Sequence, residues 1–572
     1  MRITQGFLAV TAAVAVWAAV DPSWMSIPAL ALSVWMTLRW LRTRPWHNMR
    51  SLREFFTFRS ASAKQVTRTG EKARQRDGLA SAAQVRRHGG RGRVRKLAPV
   101  VRPSMAGAGT VQRLRTPTSE VGIRLCRVGR RWVWASLEDV VLYFAGTRRG
   151  KSGWLASTTV DFPGPVVVTT TRVDDYRKTL THRARVGDVL VFNATGLALP
   201  DTIIFDPLHG CESPVIAAER CADMIPTAPH SEQEHWAALA RSALASLMHA
   251  AALGGHSMDV VSRWVADPAK AQAAVVPILH RSPAKAVVAA AEQFFGTNDR
   301  TQTSITTSIQ QALSWLQAPS ARMAAGLDGA DGPLFTIDAL LSGRNTLYIL
   351  GRKEDNVAPL MSALTGYVAR EARRAANGHR LDPPLGLHLD EAGLLRPPLA
   401  DWSADMGGSG ISIVACLQSR AQLISAWGAA DAAVIINNAG SIVLGGGTKD
   451  PDDLQAWSKL VGQRDQSTAS RDRNGKVTST QQRQVEVVAA SQLAHMTPKT
   501  CLLFGKDMPP AVGRVRMVWE RPDVRWERWM RRVENTRARI SSLRPTSTET
   551  AQTPAAVVDV VETPTVEEPA RV

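Results

Sequence analysis

The chain has 572 residues, 44% of them hydrophobic, with a formal net charge of +20 at pH 7 and a pI near 10.5. Two or three domains with sizeable cores are expected at this length, and the basic balance calls for a polyanionic partner, nucleic acid or an anionic membrane face. The five cysteines (126, 211, 221, 416 and 501) are odd in number and scattered, which argues against a zinc site or a disulfide framework and for reduced thiols in a cytosolic body.

Residues 7–20 and 24–38 are apolar runs separated by Asp21-Pro22-Ser23. Extended back to Ile3 and on to Trp40, they approach the about 20 residues that a bilayer asks for. Arg2 precedes the first run, Arg39, Arg42 and Arg44 follow the second, and the connector has no Lys or Arg. The positive-inside rule then puts both ends in the cytoplasm. Residues 1–40 are thus expected to form a transmembrane hairpin in the plasma membrane, rather than a cleaved signal peptide.

Residues 41–120 are expected to be a basic juxtamembrane linker. From Arg39 to Arg102 there are 18 Lys and Arg against 3 acids (Glu54, Glu71 and Asp77). Anionic headgroups, worth about 1 kcal/mol per basic residue, and nucleic acid both suit such a segment. Arg-Gly tracts such as residues 89–93 read as flexible, with helix expected at 62–76 and 79–87.

The globular part opens near Val121. Residues 131–135 and 140–144 read as strands, the second leading into Ala145-Gly146-Thr147-Arg148-Arg149-Gly150-Lys151-Ser152. A strand, a glycine-bearing loop, Gly-Lys-Ser and a helix are the layout of a phosphate-binding loop, with Ala145 where the first glycine usually stands. Backbone N–H groups of residues 145–152 would wrap the phosphates of ATP. Lys151 would reach the β- and γ-phosphates, and the Ser152 hydroxyl would hold Mg2+. Residues 164–171, 189–192 and 202–205 continue as buried strands. Strands of this kind alternating with helices predict a parallel sheet covered on both faces. Residues 121–210 are the first part of this nucleotide-binding domain.

Residues 211–330 change character. Alanine-rich helical stretches at 213–224, 231–253, 258–265, 268–279, 283–294 and 301–317 follow without a clear strand, an all-α insertion. The sheet resumes over 331–543 with strands at 346–351, 384–389, 410–418 and 441–447, and a long helix at 356–376. The strand before Asp390-Glu391 supplies the second half of an ATPase signature: Asp390 for Mg2+, Glu391 to orient and deprotonate the attacking water. Gln418, ending the next strand, can sit level with the γ-phosphate. Residues 465–484 read as a polar loop, 513–518 as an edge strand, and a basic, Trp-bearing helix is expected after Asp523. Residues 544–572 are acidic, rich in Pro and Thr, and expected to be disordered.

The order of these stretches, A-G-T-R-R-G-K-S, L-H-L-D-E-A-G, G-I-S-I-V-A-C-L-Q-S-R-A-Q-L and L-G-G-G-T-K-D-P-D-D-L, resembles the type IV coupling proteins, the TraG/TraD-type ATPases of conjugation and type IV secretion, in their actinobacterial branch. The resemblance implies a RecA-like P-loop NTPase domain with an inserted all-α domain and an N-terminal transmembrane helical hairpin. It implies a membrane-anchored homo-hexamer that receives relaxase-bound single-stranded DNA and drives it toward type IV secretion channel components with ATP. Lys151 and Ser152 match the phosphate loop, Asp390 and Glu391 the second acidic motif, and Gln418 the third-motif glutamine. Relatives carry Gly-Arg-Lys where this chain has Gly407-Gly408-Ser409-Gly410, so a trans-acting arginine must come from elsewhere, with Arg352, Arg420 and Arg464 as possibilities. The other readings are a non-hydrolysing membrane receptor for secreted proteins and a septal-type double-stranded DNA translocase.

Overall fold

The computed structural model describes residues 78–197, 202–228, 230–471 and 477–542. The expected membrane hairpin, the helix at 62–76 and the acidic tail lie outside the described residues. Among those residues, one helix is apolar and long enough to cross a membrane, Glu232–Gly254, and half of it is buried within the protein. The chain divides into a body ending at Val518 and a second unit starting at Trp519.

In chain order the strands are β1 Gly122–Val128, β2 Arg131–Ser136, β3 Val140–Phe144, β4 Val166–Thr170, β5 Val189–Asn193, β6 Thr346–Leu350 and β7 Leu385–Leu389. They continue with β8 Ile411–Leu417, β9 Ala439–Gly445, β10 Gln463–Arg471, β11 Val477–Glu486, β12 Thr500–Gly505 and β13 Met508–Arg514. Eleven of them form one mixed sheet in the order β2-β1-β13-β12-β9-β3-β8-β7-β4-β6-β5. The seven strands from β9 to β5 are parallel, as their short, wholly or mostly buried apolar runs require. The remaining four are antiparallel and close one side.

Four expectations are corrected. Residues 202–205 form no strand; only an isolated bridge joins Ile204 to Leu334. The polar stretch 465–484 is not a loop but the hairpin β10–β11, paired from Gln463↔Glu486 inward. Its Gln, Ser and Thr side chains hide the period of two that apolar alternation would have marked. The expected edge strand at 513–518 is instead β13, inside the sheet between β1 and β12. The Arg-Gly tract is folded: Arg91–Lys96 is a helix with Val94 buried, packed beside Ala82–His88 with Val85 buried.

Between β5 and β6 the chain runs through helices Pro214–Met224, Ser231–Gly254, Met258–Ala266, Pro268–Leu279, Lys285–Phe295, Asp299–Ala312 and Pro319–Ala324. Leu244, Leu247, Val261, Val275, Ile305 and Trp315 from this region share one apolar core with Leu347, Ile349 and Leu387 of the sheet. The helical region is therefore welded to the sheet rather than hung from it. Its first helix docks on Ala358–Ala376, where Arg370 makes a two-pronged pair with the buried Asp223, one prong at 2.7 Å. Gly366 permits this approach, since a Cβ there would stand 2.1 Å from Asp223 Oδ2. Arg220 is buried beside it, 4.8 Å from the Phe205 ring and 5.1 Å from that of Tyr367. The second unit holds the expected basic helix, Pro522–Ser542, with Trp526 and Trp529 4.9 Å apart.

Removing one partner of a buried ion pair leaves the other charge uncompensated. Asp223→Ala is therefore expected to destabilise the body by about 3 kcal/mol or more, whereas replacing both Asp223 and Arg370 with apolar residues should cost clearly less. Urea unfolding of the two variants in detergent checks this.

Candidate functional site

The site is built at the carboxyl ends of β3, β8, β7 and β4, which lie side by side. Phe144 of β3 pairs with Leu417 of β8, and the next residue, Ala145, donates its N–H to Leu417 O at 3.1 Å. The loop then turns through Gly150, whose φ of 95° is left-handed and which caps helix Lys151–Asp161. Gly146 donates to Gly446 O at 3.3 Å, and a Cβ on it would meet Gly447 O at 2.7 Å. The glycine is needed there because the loop after β9 lies against it. Thr147 and Arg148 are exposed, and Arg149 reaches Met496 O at 3.4 Å.

Lys151 is buried, and its Nζ donates to Ala145 O at 2.6 Å, curled back over its own loop. Burial lowers its pKa, opposed in part by Asp390 and Glu391 nearby. Ser152 donates its hydroxyl to Asp390 Oδ2 at 2.8 Å, closing a gap of 238 residues. The strand carrying Asp390 is held to the loop helix a second time, by Thr159 Oγ1 and His388 Nδ1 at 2.7 Å. Burial pushes His388 down to about 3, so the imidazole is neutral at this contact. Glu391 follows Asp390 in a left-handed conformation, φ 55° and ψ 49°, which turns the chain sharply off the strand.

Gln418 stands one residue beyond Leu417, next to Ala145, and its backbone N–H donates to Gln422 Oε1 at 2.7 Å. Lys151, Ser152, Asp390, Glu391 and Gln418 are thus gathered at one edge of the sheet. The possible trans-acting arginines are not gathered there as a set. Arg352 is bonded to Asp355 at 2.9 Å and to Thr195 O at 3.1 Å, and Arg464 begins the separate hairpin. Arg420 opens the helix after β8, its backbone N–H held by Asp453 at 2.9 Å.

The sequence reading missed Asp175. It sits in the first turn of helix Val173–Arg183, after β4, where an acid reads as a simple helix-terminus charge. Strand order makes β4 the neighbour of β7, so Asp175 is brought to Asp390. Both carboxylates are buried, at 6% and 4% exposure. Asp175 Oδ1 accepts from Lys178 at 3.3 Å, whereas Asp175 Oδ2 and Asp390 Oδ1 are buried without a hydrogen-bond partner. Asp390 is pushed up to about 7, by burial first and then by the charge of Asp175. Asp175 is raised mainly by burial as well. Two converging carboxylates with orphaned oxygens beside a serine hydroxyl are costly as they stand. The donor set, all hard oxygen, fits a Mg2+ ion.

Residues 384–498 match the family model described as the TraM recognition site of TraD and TraG. Among solved structures, the chain resembles the unbound bacterial conjugative coupling protein TrwBdeltaN70, with a TM-score of 0.54 and 19% identity, over 75% of this chain and 92% of that one. It also resembles the plasmid coupling protein TrwB in complex with ADP and Mg2+, with a TM-score of 0.51 and 21% identity over 66% of this chain and 85% of that one. No curated protein matches the chain by sequence. At these identities the structural likeness establishes the fold alone, a mixed α/β sheet like that of the conjugative coupling protein TrwB.

Removing one of two neighbouring carboxylates, each with one buried oxygen left without a partner, is expected to have opposite effects on the empty and the loaded protein. Asp175→Asn is expected to raise the melting temperature of the nucleotide-free protein and to weaken Mg2+-dependent nucleotide binding by about tenfold or more. Binding without Mg2+ should change little. Calorimetric titration with and without the ion checks this, and equal losses in both would place Asp175 outside the metal site.

Proposed function

We propose that this chain, a member of the type IV coupling protein family through its TraD/TraG domain at residues 384–498, is a membrane-anchored ATPase that drives single-stranded DNA toward a type IV secretion channel. The observation that carries the reading is the Ser152–Asp390 hydrogen bond of 2.8 Å. It joins the phosphate loop to the acidic strand end, with Lys151, Glu391 and Gln418 around them. Lys151 is held in reserve by the Ala145 carbonyl and is freed when phosphate oxygens offer it a better acceptor. Ser152 and Asp390, with Asp175 behind them, would hold Mg2+, which would supply charge neutralisation to the nucleotide phosphates.

Glu391 takes a proton from water as its oxygen bonds to the γ-phosphorus and the bond to the β-phosphate oxygen breaks. Gln418, at the end of β8, positions that water and registers whether the γ-phosphate is present. The same family reading gives the rest of the assembly: a transmembrane hairpin at residues 1–40 in the plasma membrane, a homo-hexamer around a channel, and a relaxase that delivers the DNA. An arginine from a neighbouring copy completes the site.

ATP turnover by the full chain in detergent, with and without single-stranded DNA, tests this. DNA is expected to stimulate turnover. Lys151→Ala is expected to abolish nucleotide binding. Glu391→Gln is expected to retain binding and lose turnover by about 100-fold or more, the share that general-base catalysis supplies. Unchanged turnover in Glu391→Gln would remove the proposed base.

A further inference from the structure

The helices that precede β1 fold against the β1–β2 hairpin and leave an open groove of about 1130 Å3 between them. Among the described residues, nine Lys and Arg side chains line it and no carboxylate does. Arg86, Arg87, Arg91, Lys96, Arg130 and Arg131 make no ion pair among the described residues. Arg93 pairs with the exposed Asp507 at 3.4 Å and donates to His88 O at 2.9 Å. So many like charges facing one space raise its potential by repulsion and call for an anionic occupant.

Two further observations choose among anions. The first concerns the rings. Base stacking on a nucleic-acid strand needs open aromatic faces. Among the described residues, Trp132 and Trp134 are the only Trp, Tyr or Phe lining the groove. The Trp132 ring already carries the guanidinium groups of Arg124 at 5.2 Å and Arg516 at 5.3 Å, and Trp134 is 8% exposed with Arg124 5.0 Å from its ring. The second concerns aliphatic groups. Leu114, 61% exposed, lines the groove, and Val111, 63% exposed, lies one turn earlier on the same face of helix Thr110–Arg115. Cations that grip phosphate beside exposed aliphatic side chains suit the boundary between headgroups and acyl chains.

We propose that this groove and the Val111–Leu114 face dock on the anionic phospholipid headgroups of the bilayer. The inference rests on the proposed membrane hairpin for proximity, since 37 residues separate Trp40 from Gly78, and is independent of the ATPase chemistry. Docking would fix the height and tilt of the body over the membrane by a contact separate from the anchor.

All five cysteines are unpaired and buried, so Leu114→Cys gives a single accessible thiol for a polarity-sensitive fluorophore. The labelled full chain is compared in nanodiscs of phosphatidylcholine alone and of phosphatidylcholine mixed with phosphatidylglycerol. The same chain is also mixed with vesicles of both compositions added from outside. The emission is expected to shift to the blue only with the anionic lipid and to revert at high salt. In a variant combining Arg86→Gln, Arg87→Gln, Arg130→Gln and Arg131→Gln, the apparent affinity for the mixed vesicles should fall by about tenfold or more with ATP turnover retained. Val111→Asp should weaken the shift without removing a cation. No shift with either lipid overturns the proposal. A shift produced by single-stranded DNA in phosphatidylcholine discs, and not by anionic lipid, also overturns it and makes the groove a nucleic-acid site. Failure of the hairpin reads differently: the chain would not co-elute with nanodiscs, while added anionic vesicles would still shift the label.

Discussion

One half-buried contact organises the site: the Ser152 hydroxyl donated to Asp390 across 238 residues of chain. It exists because β8 is the only strand between β3 and β7, so a helix starting at the end of β3 crosses over to the end of β7. The contact satisfies only one oxygen of Asp390. The other, and one oxygen of Asp175, are left without donors in a space from which water is largely excluded. That cost is borne by the rest of the fold, whose continuous apolar core is large enough to hold the arrangement in place. A site that is electrostatically unfinished in this way would be stabilised by a cation and phosphates that supply the missing charge and acceptors, as the proposed function requires.

The same view accounts for Lys151. A buried ammonium needs an acceptor in every state of the site. The Ala145 carbonyl fills that need within the loop itself. Phosphate oxygens, being charged, are the stronger acceptors, so in the proposed function the lysine would change partner without being left unpaired.

Much of this was legible in the sequence, and the reasons are local. The strands at 140–144, 166–170, 346–350, 385–389 and 411–417 are apolar runs buried throughout, and such runs announce themselves. The helices between β5 and β6 were legible from alanine-rich periodicity to within a few residues. The gathering of Lys151, Ser152, Asp390 and Glu391 at one end of the sheet was legible because two short motifs constrain residue type at fixed spacing. Asp175 was not, because its role depends on β4 lying beside β7, and strand order is a non-local property that no window of sequence contains. The hairpin at 463–486 was missed because both of its faces are polar. The helix at 91–96 was missed because arginine and glycine dominate its composition and a single valine, Val94, supplies its buried contact.

In the proposed function, Lys151, Ser152 and the two carboxylates act on one nucleotide. An electron cryomicroscopy map of the full chain with Mg2+ and a non-hydrolysable ATP analogue tests that most directly. It should show Lys151 Nζ moved from the Ala145 carbonyl onto the phosphates, with metal density between the Ser152 hydroxyl and the carboxylates of Asp390 and Asp175. Nucleotide bound away from residues 145–152, or metal density remote from Asp390, would contradict it.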